Sequence, residues 1–364
     1  MMTGYIRVKI LNGKMEKKQP NFKQYLTIRS MNTVLRFLVL GIISLPTYSS
    51  AQTYAEKLGF PKGSKVLILH VDDAGMSKES NEGVVESINK GVANSFSIMM
   101  PCPWVPEIFS YLKKHPKSDA GLHLTMNAEW KDYRWPPLAG AAAVPGLTDS
   151  QGAMWSGVLD VVTHAKPQEI ALEIEAQLQR SRKAGWEPTH FDSHMGTLFA
   201  TPAFLEQYLS IGMREKIPVM FPGGHSTLVS KTNAGIISIQ QAQKIGEKLW
   251  QAGLPVLDDL HNLSYGFRYP TEKVSDQQLQ KIAANNYIQS LKELQPGITM
   301  VIMHCSVAGE HFEHISSSGI IRRADWLAMQ SPELKKYLEE NNIILTTWRE
   351  LMERRKKLLS ASGG

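Results

Sequence analysis

Two rhythms of apolar and polar positions alternate along the chain. Short runs rich in β-branched residues, such as Val66-Leu67-Ile68-Leu69-His70-Val71, read as strands buried on both faces. This pattern predicts strands over 66–71, 95–100, 120–124, 189–193, 218–221, 256–260, 299–304 and 343–347. Helical spacing lies between them. It is clearest over 80–89, where Val84, Val85 and Ile88 share a face, and over 167–184, where Ile170, Ile174 and Leu178 do so and Gly185 closes the helix. The stretches 277–294 and 332–341 read similarly. Repeated β-α units imply a parallel sheet with helices outside it. Seven or eight such units over roughly 290 residues suit a closed or nearly closed TIM-like barrel, with an open doubly wound sheet as the alternative. The fold class is therefore α/β, with a single catalytic domain expected over 65–358.

The stretch 126–165 breaks the rhythm. It holds Trp130, Trp135 and Trp155 with several prolines and glycines, and it follows a strand end. A loop of this length is usually functional or disordered. Its tryptophans read either as a wall for sugar rings or as local packing.

The polar interruptions fall at the C-terminal ends of the expected strands, where α/β folds place their chemistry. The first strand ends in Asp72-Asp73-Ala74-Gly75. Later ends carry Gly121-Leu122-His123-Leu124-Thr125, His190-Phe191-Asp192-Ser193-His194 and Met303-His304. Asp73, His123 and His194 form a three-ligand set for one divalent metal, leaving room for water and substrate. Asp72 is the candidate general base and His304 the candidate acid; a carboxylate base with an imidazolium acid predicts a bell-shaped rate profile. Zinc and magnesium are the leading metals. Asp258-Asp259-Leu260-His261 is a second acidic cluster, read as substrate-lining together with Trp130 and Trp135.

Composition narrows the picture. A hydrophobic fraction of 43% with 20% charged residues describes an ordinary globular protein. The formal net charge of +6 sits in the leader, because residues 1–30 hold seven Lys/Arg against one Glu. From Gln52 onward 32 basic residues face 33 acidic ones, so the body has no basic footprint for nucleic acid. Met31 to Arg36, the apolar run 37–45 and Ser49-Ser50-Ala51 form the three parts of a secretory signal. Translation is expected to start at Met31 and cleavage to fall before Gln52. Residues 1–51 are then a leader and 52–64 a short linker. The mature protein is exported, periplasmic or secreted, with no stable membrane span. Cys102 and Cys305 either pair or remain buried thiols. No Gly-x-Ser-x-Gly elbow is present, which disfavours a serine hydrolase.

The Asp72-Asp73 end followed by Gly75, the Gly121–Thr125 run, Asp192-Ser193-His194, the strand ending at His304 and the tail from Arg322 through Ser331-Pro332-Glu333-Leu334 to Ile343-Ile344-Leu345 resemble the YdjC/ChbG/HpnK carbohydrate deacetylase family. The resemblance spans 65–351. It implies a deformed (β/α) barrel, a divalent metal on Asp73, His123 and His194, Asp72 as base, and His304 as acid. The implied reaction hydrolyses an N-acetyl group from an acetylated amino sugar and releases acetate. Gly196 and the Val219-Met220-Phe221 run depart from positions where family members often carry histidine and arginine. A glycoside hydrolase and a catalytically inactive exported sugar-binding protein are the competing functions. Oligomeric state stays open, a homodimer being one option.

Overall fold

The structure, a computed structural model, describes residues 52–362 apart from 233–236, 263, 271 and 273. The expected leader over 1–51 lies outside the described residues. The described strands are β1 Lys65–Ala74, β2 Ser95–Ile98, β3 Ala120–Leu124, β4 Phe191–Ser193, β5 Asp259–His261, β6 Gly297–Met303 and β7 Ile344–Leu345. All pair in parallel, in the order β4-β3-β2-β1-β6-β5, with β7 beside the start of β1. Every position of β1 after Lys65 is buried, as its unbroken apolar run predicts for a strand covered on both faces.

Helices connect successive strands. The helix Lys78–Asn89 is capped by the Ser77 side chain, and Pro167–Lys183, Pro202–Glu215 and Pro332–Glu340 each begin on a proline whose missing N–H has no helical partner to lose. Val105–Lys114, Ile239–Gln251, Asp276–Leu291, Gly319–Met329 and Trp348–Ser362 complete the longer outer elements.

The expected strand over 218–221 exists only as a seam. Val219 makes a single parallel bridge to Phe191, and Pro222 bridges Leu257. Pro218 and Pro222 have no N–H to donate, so no regular ladder forms there. Met220 N still donates to Phe191 O at 2.7 Å, and Gly223 N to Leu257 O at 3.0 Å. The sheet thus curls from β4 through this seam back to β5, a deformed barrel. The expected strand over 256–260 is shorter and later than its apolar run, as β5 Asp259–His261.

One further expectation changes. The stretch 52–64 is docked rather than a free linker: it contains the helical turn Tyr54–Lys57 and buries Tyr54, Ala55, Leu58 and Phe60 in the core. The basic run 354–357 lies inside Trp348–Ser362. Arg354 sits 4.0 Å over the Phe60 ring and Arg355 3.8 Å over the Trp250 ring. Cys102 and Cys305 are both buried and free. Cys102 packs with Met76, Met99, Trp135, Met154 and Phe312 in a small apolar cluster, while Cys305 belongs to the main core. No helix among the described residues is long and apolar enough to cross a membrane.

Candidate metal centre and cavity

The carboxyl end of β1 breaks the pleat. Adjacent strand residues normally point to opposite faces, yet the register slips between Val71 and Ala74, and Asp73 adopts φ 67°. Both carboxylates consequently reach the same group of imidazoles. Gly75, at φ 85°, then turns the chain against Val105, where a Cβ would meet Cγ2 at 2.6 Å.

Register supplies the partners. His123 on β3 lies directly beside Asp192 on β4, and Asp192 Oδ1 accepts from His123 Nδ1 at 2.7 Å. His194, just past β4, donates from Nε2 to Glu129 at 3.0 Å. These two carboxylates set the tautomers, leaving His123 Nε2 and His194 Nδ1 as lone pairs. Those two nitrogens are 3.1 Å apart and lie 3.3 and 3.4 Å from Asp73 Oδ1. Three acceptors facing one another this closely repel unless a cation lies between them. Ligands held about 2.0 Å from a tetrahedral zinc are themselves about 3.3 Å apart. The donor set and its spacing therefore fit a divalent metal.

Charge supports the fit. Arg322 Nη1 holds Asp73 Oδ2 at 2.7 Å and its Nη2 donates to Tyr265 Oη at 2.9 Å. His70 Nε2 lies 2.9 Å from Asp192 Oδ2 and 3.2 Å from Asp72 Oδ1. Burial alone would lower the His70 pKa, but hydrogen bonds to Asp192 and Asp72 raise it to about 9. The cluster thus gathers the carboxylates of Asp72, Asp73, Asp192 and Glu129 against two cations, Arg322 and His70. With His123 and His194 neutral, as metal ligation requires, the excess of two negative charges matches a dication; with both protonated, as their raised pKa values favour, the cluster balances without one. Burial opposes ionisation of Asp73, yet Arg322 and the two imidazoles hold its carboxyl well below the usual range. His194 is raised to about 9 by Glu129 and Asp73 against its own desolvation, and His123 is also raised, by Asp72 and Asp192. Protons and metal therefore compete for these nitrogens.

Two other groupings, His70–His190–Asp192 and Asp72–His123–Asp192, are also close enough to hold an ion. They fit less well. His123 Nδ1 already directs its N–H at Asp192, the His70 ring nitrogens are hydrogen-bonded to the Ser95 and Ser97 hydroxyls, and His123 Nε2 is 3.7 Å from Asp72 Oδ2.

His304 follows β6, packs against Tyr265 with tilted rings 4.6 Å apart, and places Nε2 3.7 Å from Asp72 Oδ2. Burial lowers its pKa to about 4, only partly offset by Asp73 and Asp72, so it is a neutral imidazole at pH 7. Asp72, Glu129, Trp130, His194 and His304 all border one cavity of about 800 Å³.

The remaining expected residues lie elsewhere. Trp135 is buried in the small apolar cluster behind Trp130. Asp258 accepts backbone N–H groups from Tyr54, Ala55 and Ile298, and Asp259 accepts from Leu228 and Val229. His261 is buried, and the cavity residues from this strand end are Leu260 and Asn262. Reading Asp258, Asp259 and His261 as substrate-lining is therefore corrected: the two carboxylates hold backbone, and β5 directs their neighbours to the cavity. Asp258→Ala is expected to cost about 3 kcal/mol or more, since three buried donors lose their acceptor. Chemical denaturation checks this, with metal affinity unchanged; a raised KM at unaltered stability would return Asp258 to the substrate face.

Asp192, Glu129, His70 and Arg322 were not assigned roles from the sequence. Strand alternation offered a signal for two of them, because His70 shares a face with Asp72, and His190 with Asp192 and His194. Arg322 comes from a distant helix and Glu129 from the irregular loop, with no local pattern to mark either.

An α/β barrel with an Asp-His-His centre at its strand ends is the frame of a metal-dependent hydrolase. The chain belongs to the YdjC-like protein family, whose model matches residues 66–340. It is 26% identical to a carbohydrate deacetylase of Thermoanaerobacter pseudethanolicus over 78% of this chain and 98% of that protein. It is 25% identical to one of Thermus thermophilus over 82% and 97%. A chitooligosaccharide deacetylase of Yersinia pestis is 32% identical over 36% of this chain and 49% of its own length. The crystal structure of an Enterococcus faecalis V583 protein shares the fold, with a TM-score of 0.63 at 19% identity over 79% of this chain and 99% of that one.

Proposed function

We propose that this chain is a divalent-metal-dependent hydrolase that removes N-acetyl groups from acetylated amino sugars and releases acetate. The observation that carries this is the convergence of Asp73 Oδ1, His123 Nε2 and His194 Nδ1, 3.1–3.4 Å apart, beside the Asp72 carboxylate on a cavity wall. The names of the carbohydrate deacetylases to which it is similar support the same chemistry. Two imidazoles with one carboxylate suit zinc better than magnesium, which prefers oxygen ligands.

When bound, the metal supplies Lewis acidity that polarises the amide carbonyl and acidifies a water. Asp72 takes the proton of the attacking water. His70, between Asp72 and Asp192, keeps the Asp72 carboxylate oriented. His304, neutral at rest, takes up a proton from the Asp72 side and delivers it to the departing amine nitrogen. Trp130 offers an aromatic face to the sugar ring. The leader pattern over 31–51 supports an exported enzyme.

The test is acetate release from N-acetylated chitooligosaccharides by protein stripped with chelator and reloaded with zinc, followed from pH 5 to 9. Acetate is expected only after reloading. Because the raised His123 and His194 bind protons that compete with zinc, activity falls toward acid, and this limb moves to lower pH as zinc is increased. No alkaline limb from His304 is expected, since it is already neutral, in contrast to the bell-shaped profile of an imidazolium acid. An alkaline limb abolished by His304→Ala would overturn that assignment; no acetate with any divalent metal would overturn the function.

A further inference from the structure

Tyr265 borders the same cavity as Asp72, Glu129, His194 and His304, and its ring packs against His304 with centroids 4.6 Å apart. The residue is exposed, yet its hydroxyl is tied to a buried group: Arg322 Nη2 donates to Tyr265 Oη at 2.9 Å. The same guanidinium holds Asp73 Oδ2 through Nη1 at 2.7 Å and Ser318 Oγ through Nε at 2.9 Å. Arg322 is only 3% exposed, so these three contacts fix a planar fork in one orientation. The phenol oxygen is thereby set beside the carboxylate whose other oxygen belongs to the candidate ligand set.

The direction of these bonds decides what the phenol can do. A guanidinium donates and has no lone pair with which to accept. Tyr265 therefore commits a lone pair to Arg322 and keeps its own O–H, for which no acceptor is found among the described residues. Burial pushes the Tyr265 phenol above its usual pKa, so it stays protonated at neutral pH. Donation from a cation polarises the O–H and makes it a stronger donor in turn. The turn Ser264–Gly266 that carries Tyr265 is anchored as well. Asp325 bonds the Ser264 hydroxyl and accepts from His304 N at 3.1 Å and from Tyr287 Oη at 2.7 Å. Arg322 and Asp325 lie three residues apart on Gly319–Met329, so one helix face positions both Tyr265 and His304.

We propose that Tyr265 is a catalytic hydrogen-bond donor: its O–H, aligned by Arg322, binds the acetyl carbonyl oxygen as that oxygen takes on negative charge during attack by water. The phenol keeps its proton throughout, and no covalent bond to it forms or breaks. A preorganised donor of this kind acts on the transition state more than on the bound substrate, because the hydrogen bond strengthens as charge develops. The inference rests on the deacetylase reading. It adds a donor that Asp72 and His304, both committed to proton transfer, do not supply.

The test is Tyr265→Phe in the zinc-loaded full chain, which keeps the ring against His304 and removes only the hydroxyl. Measured are kcat and KM for an N-acetylated chitooligosaccharide, zinc affinity, and binding of the matching methylphosphonamidate by equilibrium dialysis. In that analogue a tetrahedral, anionic phosphorus replaces the acetyl carbon. Removing one such donor costs about 10²–10³ in kcat. That loss is expected here, with the phosphonamidate weakened by a similar factor and KM and zinc affinity held within about threefold. A kcat within about fivefold of the unaltered enzyme would overturn the role and leave the deacetylase standing. Loss of zinc, or a phosphonamidate bound as tightly as before, would make the hydroxyl a prop for Arg322 and would also overturn it. If the unaltered protein releases no acetate, phosphonamidate binding decides. Binding weakened in Tyr265→Phe would uphold the anion-binding hydroxyl and overturn the deacetylase, and binding absent or unaffected would overturn both.

Discussion

Asp73→Asn is expected to lose the divalent metal and at least about three orders of magnitude in kcat/KM, roughly 4 kcal/mol of transition-state stabilisation. The backbone should tolerate the change, because asparagine adopts the left-handed conformation that Asp73 occupies at φ 67° more readily than most residues. The chemistry should not. Arg322 Nη1 lies 2.7 Å from Asp73 Oδ2 and demands an acceptor. The new amide would therefore turn its oxygen to Arg322 and its NH2 toward His123 Nε2 and His194 Nδ1. That NH2 would donate to the lone pairs that otherwise bind the ion. Metal content measured after gel filtration, alongside acetate release, checks this. Full metal occupancy in Asp73→Asn would move the ligand role to another carboxylate, Asp72 or Asp192.

Asp72→Asn should behave differently. It is expected to retain the metal, bind substrate with little change in KM, and lose about 10²–10⁴-fold in kcat, the usual worth of a positioned base. His70 keeps Asp192 as its counter-charge at 2.9 Å, so the buried imidazolium is not left unpaired. The contrast between the variants assigns the roles of two adjacent carboxylates that sequence alone leaves interchangeable. A metal-free Asp72→Asn would make Asp72 a ligand and sink the base assignment.

Much of this was legible in the chain because its signals are local. The Val66–Val71 run reads as a buried strand, and the polar residues that interrupt its end and those of 120–124, 189–193 and 299–304 marked one face of the barrel. Helices with proline starts and serine caps appeared within a few residues of their expected bounds. What failed was non-local. Asp258 looked like a site residue because it sits at a strand end with Asp259 and His261, but its carboxylate is taken up by backbone donors near residue 54, more than two hundred positions away. Arg354 and Arg355 stand in a basic run with no local sign of the aromatic rings at 60 and 250 that pack against them. The strand over 218–221 had the apolar pattern, but the two prolines in and beside it removed the donors a ladder requires.

The sequence by itself determined the parallel β-α architecture and set Asp72, Asp73, His123, His194 and His304 at the expected strand ends, because periodicity and residue type act over a few neighbours. Only the tertiary structure decided which carboxylate serves which imidazole. It did so through the slipped register that brings both β1 aspartates to one side, the β3–β4 pairing that sets Asp192 beside His123, and the distant helix that delivers Arg322 to Asp73. It also decided which residues share the cavity beside this cluster, since that surface is assembled from segments with no common pattern in the chain. Lone pairs, charges and side-chain faces acquire their partners only when the chain closes into a barrel.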